Sequence, residues 1–247
     1  MRLIIDIGNT LAKVALFEES DPLAVTYLPQ LTVEALELFL TNSGKPRPDT
    51  AILSTVRHFD DEFIDYLKAN FRLLLFSADT PLPIKNMYGS PQTLGYDRLA
   101  AAVAAAALFP ARNVLIINAG TAITYDLLTN RAEYMGGAIS PGLTMRLMAL
   151  HNFTHKLPLI ALKNETPIVG RTTEESILSG VVNATRAEMD GMIDKFNNHY
   201  DQLAIILSGG DIKYFDKSLK NSIFAIPNIV ISGLNKLLAY NFGKKNY

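Results

Sequence analysis

The chain has 247 residues, 49% of them hydrophobic and 19% charged, so it can bury a sizeable core and is not expected to be disordered. Its 23 basic and 24 acidic residues leave no basic excess, which argues against a nucleic acid as its main partner. It has no cysteine, which excludes disulfides and thiolate metal sites and fits a reducing, cytoplasmic location.

The first half of the chain is predicted to mix strands with helices. Short apolar runs bounded by turn residues predict strands, and apolar residues at helical spacing behind a polar residue predict helices. Gly8-Asn9, between the first two strands, indicates a hairpin. The predicted strands are Arg2–Ile7, Leu11–Phe17, Ala24–Leu28, Thr50–Val56 and Arg72–Phe76, and the predicted helices are Thr32–Thr41, Asp60–Asn70 and an alanine-rich helix that opens at Asp97.

The second half starts again with a strand, a turn and a strand. Because both halves begin in this way and no linker separates them near Arg112, we predict two closely packed domains, residues 1–112 and 113–247. The predicted strands are Val114–Asn118, Ala122–Leu128, Glu133–Ile139 and Leu203–Leu207, and the predicted helices are Ile229–Phe242 and Thr173–His199, with Gly180 and Gly191 as weak points of the latter.

No segment predicts a membrane span or a signal peptide. Only three apolar residues stand between Arg2 and Asp6, which is too few for the hydrophobic region of a signal peptide. The longest uncharged apolar run, Leu99–Ala111, is shorter than the ~20 residues that a membrane span needs, and Pro110 interrupts it. We therefore predict a buried helix there and no membrane partner.

Two similar glycine turns suggest phosphate binding. "IIDIGNT" at Ile4–Thr10 and "IINAGTA" at Ile116–Ala122 each lead from a strand into a strand, which excludes Rossmann and P-loop sites. The backbone N–H groups of such turns can approach a phosphate closely, and Asp6 at a strand end can hold a hydrated Mg²⁺. The alternative is a pair of ordinary β-hairpins. Two facing hairpins could clamp a polyphosphate between two domains.

Several motifs carry a resemblance to a known family. "DIGNT" and "NAGTA" resemble the two phosphate motifs of the actin/hexokinase/Hsp70 superfamily. Further motifs, in family order, resemble those of the type III pantothenate kinases: "LGYDR" at Leu94–Arg98 with Asn86, Tyr88 and Pro91 before it, "GGAISPG" at Gly136–Gly142, Gly170, "TEESILSG" at Thr173–Gly180 and "SGG" at Ser208–Gly210.

The resemblance implies an α/β fold of duplicated ribonuclease H-like (actin-like ATPase) domains, with mixed sheets flanked by helices and the nucleotide in the cleft between the domains. It implies phosphorylation of pantothenate by ATP, the first step of coenzyme A biosynthesis. The implied cofactors are ATP, Mg²⁺ and a monovalent cation, K⁺ or NH₄⁺. The implied assembly is a homodimer with sites near the interface.

The resemblance also implies site residues. The implied ATP-binding residues are Asp6, Ile7, Gly8, Asn9, Thr10, Leu11, Ala12, Lys13 and Thr121, with Asp6 reaching Mg²⁺ through phosphate or water. The implied substrate-binding residues are Tyr88, Gly95, Tyr96, Asp97, Arg98 and, from the neighbouring subunit, Thr173, with Asp97 as the catalytic base.

Each of these side chains also has an ordinary structural explanation. Asp97 could only stabilise the first turn of its helix, a role that can coexist with that of a base. Arg98 and Lys13 could be solvated surface residues, and Tyr88 could serve packing alone. Thr173 could simply cap the long helix.

Asn118 departs from the family pattern, in which an aspartate at this position helps to bind the monovalent cation. Asparagine offers an oxygen but no charge. At ~4 Å and an effective dielectric constant near 20, one unit charge contributes about 4 kcal/mol before desolvation is subtracted. Asn118 could instead only close its turn by hydrogen bonding. Both interpretations stay open.

Two other functions remain open at this point: a kinase for another small acid or a sugar, and a nucleotide-binding regulator without turnover. Intact Asp6, Asp97 and Arg98 argue for retained chemistry. The homodimer has a further basis in the sequence, because the alanine-rich helix and the Thr173–His199 helix carry more apolar surface than one sheet obviously covers.

Overall fold

The computed structural model describes residues 1–55 and 60–243. The chain divides into two compact units, one formed by Met1–Leu108 with Ile229–Tyr247 and the other by Phe109–Asn228. The final helix therefore belongs to the first unit, although it lies at the other end of the sequence. The predicted domains, residues 1–112 and 113–247, stay a proposal about how the chain is built from two related halves.

The first unit contains a five-stranded sheet in the order β3-β2-β1-β4-β5. Strand β2 is antiparallel to both β1 and β3, whereas β1, β4 and β5 run parallel to one another. The strands of this sheet are β1 (Arg2–Ile7), β2 (Ala12–Glu18), β3 (Asp21–Leu28), β4 (Thr50–Thr55) and β5 (Arg72–Leu75). The two-residue strand β6 (Lys85–Asn86) is not part of this sheet. The helices of the unit are α1 (Val33–Asn42), α2 (Asp61–Asn70), α3 (Tyr96–Leu108) and α7 (Ile229–Phe242).

The side chains of β1 alternate between the two faces of this sheet. Leu3, Ile5 and Ile7 are fully buried and pack in a core cluster with residues of α1 and α2. Since side chains alternate across a strand, Ile4 and Asp6 point to the opposite face, which α3 and α7 cover. The carboxyl end of β1 thereby directs Asp6 towards the side of the sheet where α3 lies.

The alanine-rich helix α3 is covered within its own unit. Its residues from Arg98 to Ala105 are buried, and α7 packs along it. A Cβ atom at Gly233 of α7 would lie only 1.8 Å from the carbonyl oxygen of Ala100, so a glycine is required at this close approach. The expectation that α3 presents surplus apolar surface to a second subunit is therefore wrong.

The second unit repeats the same strand order and directions, β11-β10-β7-β8-β9. Here β7 and β9 are antiparallel to β8, and β7, β10 and β11 run parallel. Its strands are β7 (Val114–Ala119), β8 (Ala122–Leu128), β9 (Glu133–Pro141), β10 (Ala204–Ser208) and β11 (Phe224–Ala225), and its helices are α4 (Leu143–Asn152), α5 (Thr173–Leu178) and α6 (Ala184–Asn197).

Most predicted elements are confirmed, with ends shifted by a few residues. The predicted long helix from Thr173 is interrupted by a wider turn at Ser179–Asn183, which contains the weak point Gly180. Helix α4 is not predicted by the sequence patterns. Val56, at the end of a predicted strand, lies outside the described residues. Across the described ranges, no helix combines the length and apolarity needed to cross a membrane.

Candidate active site

The first glycine turn joins β1 to β2. The N–H of Gly8 donates a hydrogen bond of 3.1 Å to the carbonyl oxygen of Leu11, which closes the turn. Asn9, Thr10 and Leu11 are exposed at its tip, while the flanking Ile7 and Ala12 are fully buried. The strands are thus fixed by the core and the tip of the turn is accessible, while its role in phosphate binding stays a prediction.

Asp6 is a buried carboxylate, 5% exposed, at the end of β1. Its register partners are Lys13 on β2 and Ser54 on β4. Its Oδ1 has no hydrogen-bond partner within residues 1–55 and 60–243. Burial raises the pKa of Asp6 to about 6, against the opposing charge of Lys13, and the negative charge of Asp97 adds to the rise. A buried carboxylate in this condition is stabilised by a cation, so the donor chemistry fits Mg²⁺.

Asp97 is the second residue of α3, and Gly95 makes room for its side chain. The Oδ1 atom of Asp97 accepts a hydrogen bond of 2.9 Å from the N–H of Arg98. A Cβ atom at Gly95 would lie 2.5 Å from the same Oδ1. The carboxylate is therefore held at the helix start, and its negative charge helps to raise the pKa of Asp6.

Arg98 is buried and not a solvated arginine. It is 6% exposed, and its guanidinium carbon lies 5.6 Å from the centroid of the Tyr88 ring, within range of a cation–π interaction. The N–H of Tyr88 donates a hydrogen bond of 3.0 Å to Oδ1 of Asn86, which fixes the loop before α3. Tyr96 packs on Phe76 with ring centroids 5.0 Å apart. The two residues beside Asp97 in the "LGYDR" motif therefore each contact an aromatic ring, Arg98 that of Tyr88 and Tyr96 that of Phe76.

The second glycine turn joins β7 to β8. The hydrogen bond that closes it spans two residues, one fewer than in the first turn. The N–H of Gly120 donates a hydrogen bond of 3.1 Å to the carbonyl oxygen of Ala122, and Thr121 is exposed at the tip. Two later motifs brace this turn. A Cβ atom at Gly142 would lie 2.1 Å from the Gly120 carbonyl oxygen, and one at Gly209 would lie 2.0 Å from that of Ala119. Both glycines are thus required for these close approaches.

Asn118 stands on β7 where Asp6 stands on β1. Its register partners are Thr124 on β8 and Ser208 on β10. The Oγ1 atom of Thr124 is buried and finds no hydrogen-bond partner in the described part of the chain. Within the same ranges no cluster of three or more histidine, aspartate or glutamate side chains could hold a metal ion. Cation binding by Asn118 stays a prediction.

Thr173 is exposed in the first turn of α5, but it is not the cap. The cap is Thr172, whose Oγ1 accepts a hydrogen bond of 3.1 Å from the N–H of Glu175. The structural alternative for Thr173 is therefore wrong. Gly170 packs so closely on α5 that a Cβ atom there would lie 2.2 Å from the nitrogen of Ser176. A surface cavity of about 680 Å³ opens beside this segment, lined by Gly170 and Thr173 among others.

The predicted site residues thus fall into two groups. Asp6, Lys13, Tyr88, Asp97 and Arg98 all belong to the first unit, where charge interactions or ring contacts link them in pairs. The second group, Asn118, Thr121 and Thr173, belongs to the second unit. Ser54 and Thr124, two buried hydroxyls beside the glycine hairpins, are not predicted by the sequence patterns. Their one sequence signal is a polar residue inside an apolar strand run.

The mixed sheets with flanking helices define a fold class that solved structures share. A Campylobacter jejuni protein assigned to the Baf family of transcriptional activators matches with a TM-score of 0.63 at 17% identity, covering 97% of this chain and 98% of that one. A glucokinase from an Antarctic psychrotroph matches with a TM-score of 0.51 at 12% identity, covering 97% and 98%. The predicted class, the actin-like ATPase fold, is confirmed.

The chain belongs to the type III pantothenate kinases, because the model of that family matches residues 2–195. A type III pantothenate kinase of Bacteroides fragilis is 43% identical over 245 residues, which are 99% of this chain and 100% of that protein. The resemblance that the motifs carry is therefore confirmed.

Proposed function

We propose that this chain transfers the γ-phosphoryl group of ATP to the primary hydroxyl of pantothenate, the first step of coenzyme A biosynthesis, in the cytoplasm. The observation that carries the proposal is the buried Asp6 carboxylate beside the first glycine hairpin: its Oδ1 has no hydrogen-bond partner in residues 1–55 and 60–243, and the charge of Asp97 adds to the rise of its pKa, which favours a bound cation. Phosphoryl transfer depends mainly on positioning and charge stabilisation, which such an arrangement supplies.

Asp6 would hold Mg²⁺ through water or phosphate, and Lys13 across the hairpin would face the phosphates. When bound, Mg²⁺ neutralises charge on the transferring phosphoryl group. The turn from Gly8 to Leu11 would donate hydrogen bonds to phosphate oxygens, since its tip is exposed and its base is fixed. In the second unit, Thr121 would contact ATP from the tip of the braced second turn.

Asp97 would act as the general base that accepts the proton of the attacking hydroxyl. Its carboxylate already accepts one hydrogen bond from the Arg98 N–H, which fixes its orientation before substrate arrives. Arg98 would bind the polar or carboxylate end of pantothenate, because its guanidinium is a rigid fork of donors held against Tyr88. Tyr88 would line the same substrate pocket.

A coupled assay for ADP release tests the function. We expect ADP release that depends on pantothenate and on Mg²⁺, and none with sugars or with other small acids. ATP binding without turnover on any acceptor would instead favour a nucleotide-binding regulator. Turnover with a sugar in place of pantothenate would assign the chain to a different acceptor and overturn the proposal.

Gly95→Ala is expected to lower kcat about 100-fold, because the new Cβ would displace the Asp97 carboxylate by roughly 1 Å. The matched control is Gly89→Ala in the same loop, where a Cβ would meet nothing within 4 Å. Steady-state kinetics and a melting curve of each variant check this. Equal kcat values for the two variants would show that the room left by Gly95 is not needed.

Asn118→Asp is expected to lower the half-saturating K⁺ concentration of the kinase, because the added charge strengthens attraction for a cation. The wild type would accordingly need high K⁺ or NH₄⁺, or show no requirement. Titration of K⁺ in the coupled assay measures this. Identical half-saturation in both proteins would leave Asn118 as a turn residue only.

A homodimer is the proposed assembly, with Thr173 near the partner's site. Large apolar side chains of the second unit support it, since they are exposed on β9, on α4 and before α5: Met135, Ile139, Met145, Met148, Phe153, Ile168 and Val169. Ile168 and Val169, 79% and 75% exposed, immediately precede the glycine that packs on α5.

Ile168→Asp is expected to weaken this dimer, whereas Leu38→Asp in the first unit, where Leu38 is 61% exposed, should not. Light scattering at micromolar concentration should give a dimer for the wild type and the Leu38 variant and more monomer for the Ile168 variant. A fully active wild-type monomer would contradict both the interface and the shared site.

A further inference from the structure

Ser54 is a buried hydroxyl to which the reaction scheme above gives no role. It is 0% exposed near the end of β4, directly after the buried apolar residues Ala51, Ile52 and Leu53. Its Oγ makes no hydrogen bond of good geometry among the described residues, but the hydroxyl is close enough to Asp6 to lower the pKa of that carboxyl against the effect of burial. A buried hydroxyl in this state is unfavourable, and an alanine or valine would remove the problem. The apolar surroundings of β4 therefore do not explain the serine.

Ser54 lies beside Asp6. The two residues are in register on the parallel strands β1 and β4, so their side chains stand on the same face of the sheet. Asp6 Oδ1 is the other buried oxygen of this region without a hydrogen bond in residues 1–55 and 60–243. A serine hydroxyl rotates about its Cβ–Oγ bond, so it can donate to a carboxylate that turns towards it.

The second unit repeats the arrangement. Ser208 on β10 is in register with Asn118 on β7, as Ser54 on β4 is with Asp6 on β1. Ser208 is also buried, at 2% exposure. Because the two sheets share one strand order, a serine occurs at the same register beside both glycine hairpins. This repetition favours a role tied to the hairpins over a chance polar residue.

We propose that Ser54 is a positioning residue, whose hydroxyl donates a hydrogen bond to the Asp6 carboxylate and fixes the oxygen that faces the magnesium–nucleotide complex. The inference rests on the proposed function in one respect, that Asp6 binds Mg²⁺ through water or phosphate. Mg²⁺ demands near-ideal octahedral geometry, so the orientation of a carboxylate behind its water shell affects affinity. Groups that orient metal-binding side chains typically contribute 10–100-fold in affinity.

Ser54→Ala is expected to weaken binding of a non-hydrolysable ATP analogue in the presence of Mg²⁺ by about 10–100-fold. Binding of the same analogue with a chelator in place of Mg²⁺ should stay within about twofold of the wild type. KM for ATP should rise more than kcat falls. Ser54→Thr keeps the hydroxyl on a residue suited to strands, and it should restore much of the affinity. Calorimetry and steady-state kinetics measure these quantities.

Thr80→Val is the matched control. Thr80 is also buried in the first unit, at 7% exposure, but its Oγ1 accepts a hydrogen bond from the Ser77 N–H at 2.9 Å, in the loop after β5. Its loss should leave Mg²⁺-dependent nucleotide binding unchanged. If Ser54→Thr does not fold, the nucleotide affinities of Ser54→Ala measured with and without Mg²⁺ still test the inference.

Equal losses of affinity with and without Mg²⁺ in Ser54→Ala, or wild-type affinity in both, would overturn the inference. Failure of the proposed function gives a different pattern. In that case pantothenate would not stimulate ADP release by the wild type, while Ser54→Ala would still lose Mg²⁺-dependent nucleotide affinity.

Discussion

Asp97→Asn is expected to lower kcat by about 10²–10⁴-fold, the usual contribution of a positioned general base. The amide is the same size as the carboxylate, and its oxygen can still accept the hydrogen bond from the Arg98 N–H, so the start of α3 should persist. What is lost is the group that accepts the proton of the attacking hydroxyl. KM for pantothenate should change much less, because Arg98 and Tyr88 are untouched.

Asp61→Asn provides the matched control for this variant. Asp61 is also an acidic residue in the first turn of a helix of the first unit, but it is exposed and starts α2. Its loss should leave kcat unchanged within experimental error. If Asp97→Asn retains most pantothenate-dependent ADP production, Asp97 is a helix-start residue and another group takes the proton.

The strands around the site could be predicted because their sequence signals are local. Alternation in Arg2–Ile7 separates Leu3, Ile5 and Ile7 from Asp6, and the structure confirms that these residues face opposite sides. Threonine before an apolar periodic run predicts α1, and Thr32 indeed caps it through a bond of 3.2 Å from the Ala35 N–H. Both signals act over a few residues, so one sequence suffices to read them.

Helix α4 shows where the sequence signal fails. It begins after Gly142, which offers no side chain to cap the helix, directly at the end of β9. The same glycine is needed for a different reason, the close approach to the Gly120 carbonyl oxygen. A requirement set by a distant turn thus removes the local start signal that would have predicted the helix.

The burial of Arg98 and the grouping of α7 with the first unit depend on contacts far apart in sequence. Arg98 is buried and its guanidinium lies by the ring of Tyr88 in the preceding loop, and α7 packs on α3 because Gly233 admits the Ala100 carbonyl. Neither contact leaves a periodic pattern in the chain. The roles proposed for these side chains came from motif resemblance, whereas their exposure and packing needed the structure.

Asp6→Asn is expected to abolish turnover and, in the metal-free protein, to raise the stability of the first unit above pH 6. The carboxyl has a pKa of about 6 in the folded protein, raised by burial from the ordinary value of 3.8. The folded state therefore binds the proton more tightly than the unfolded state does. Wild-type stability falls as the pH rises from about 4 to about 6 and stays lower above that range.

The cost at pH 7.5 is about 3 kcal/mol, from roughly 1.36 kcal/mol for each unit of pKa difference. Asparagine carries no charge, so it avoids this cost, and the difference between variant and wild type should grow from pH 4.5 to pH 6.5. Urea unfolding with a chelator at several pH values measures this difference.

Asp126→Asn is the control, because Asp126 is also buried but accepts a hydrogen bond of 2.7 Å from the Tyr134 hydroxyl. Its replacement should not raise the stability of the protein. If the stability difference between Asp6→Asn and the wild type does not change with pH, burial of the charged Asp6 carboxylate is not unfavourable. The reason for expecting a cation there would then be lost.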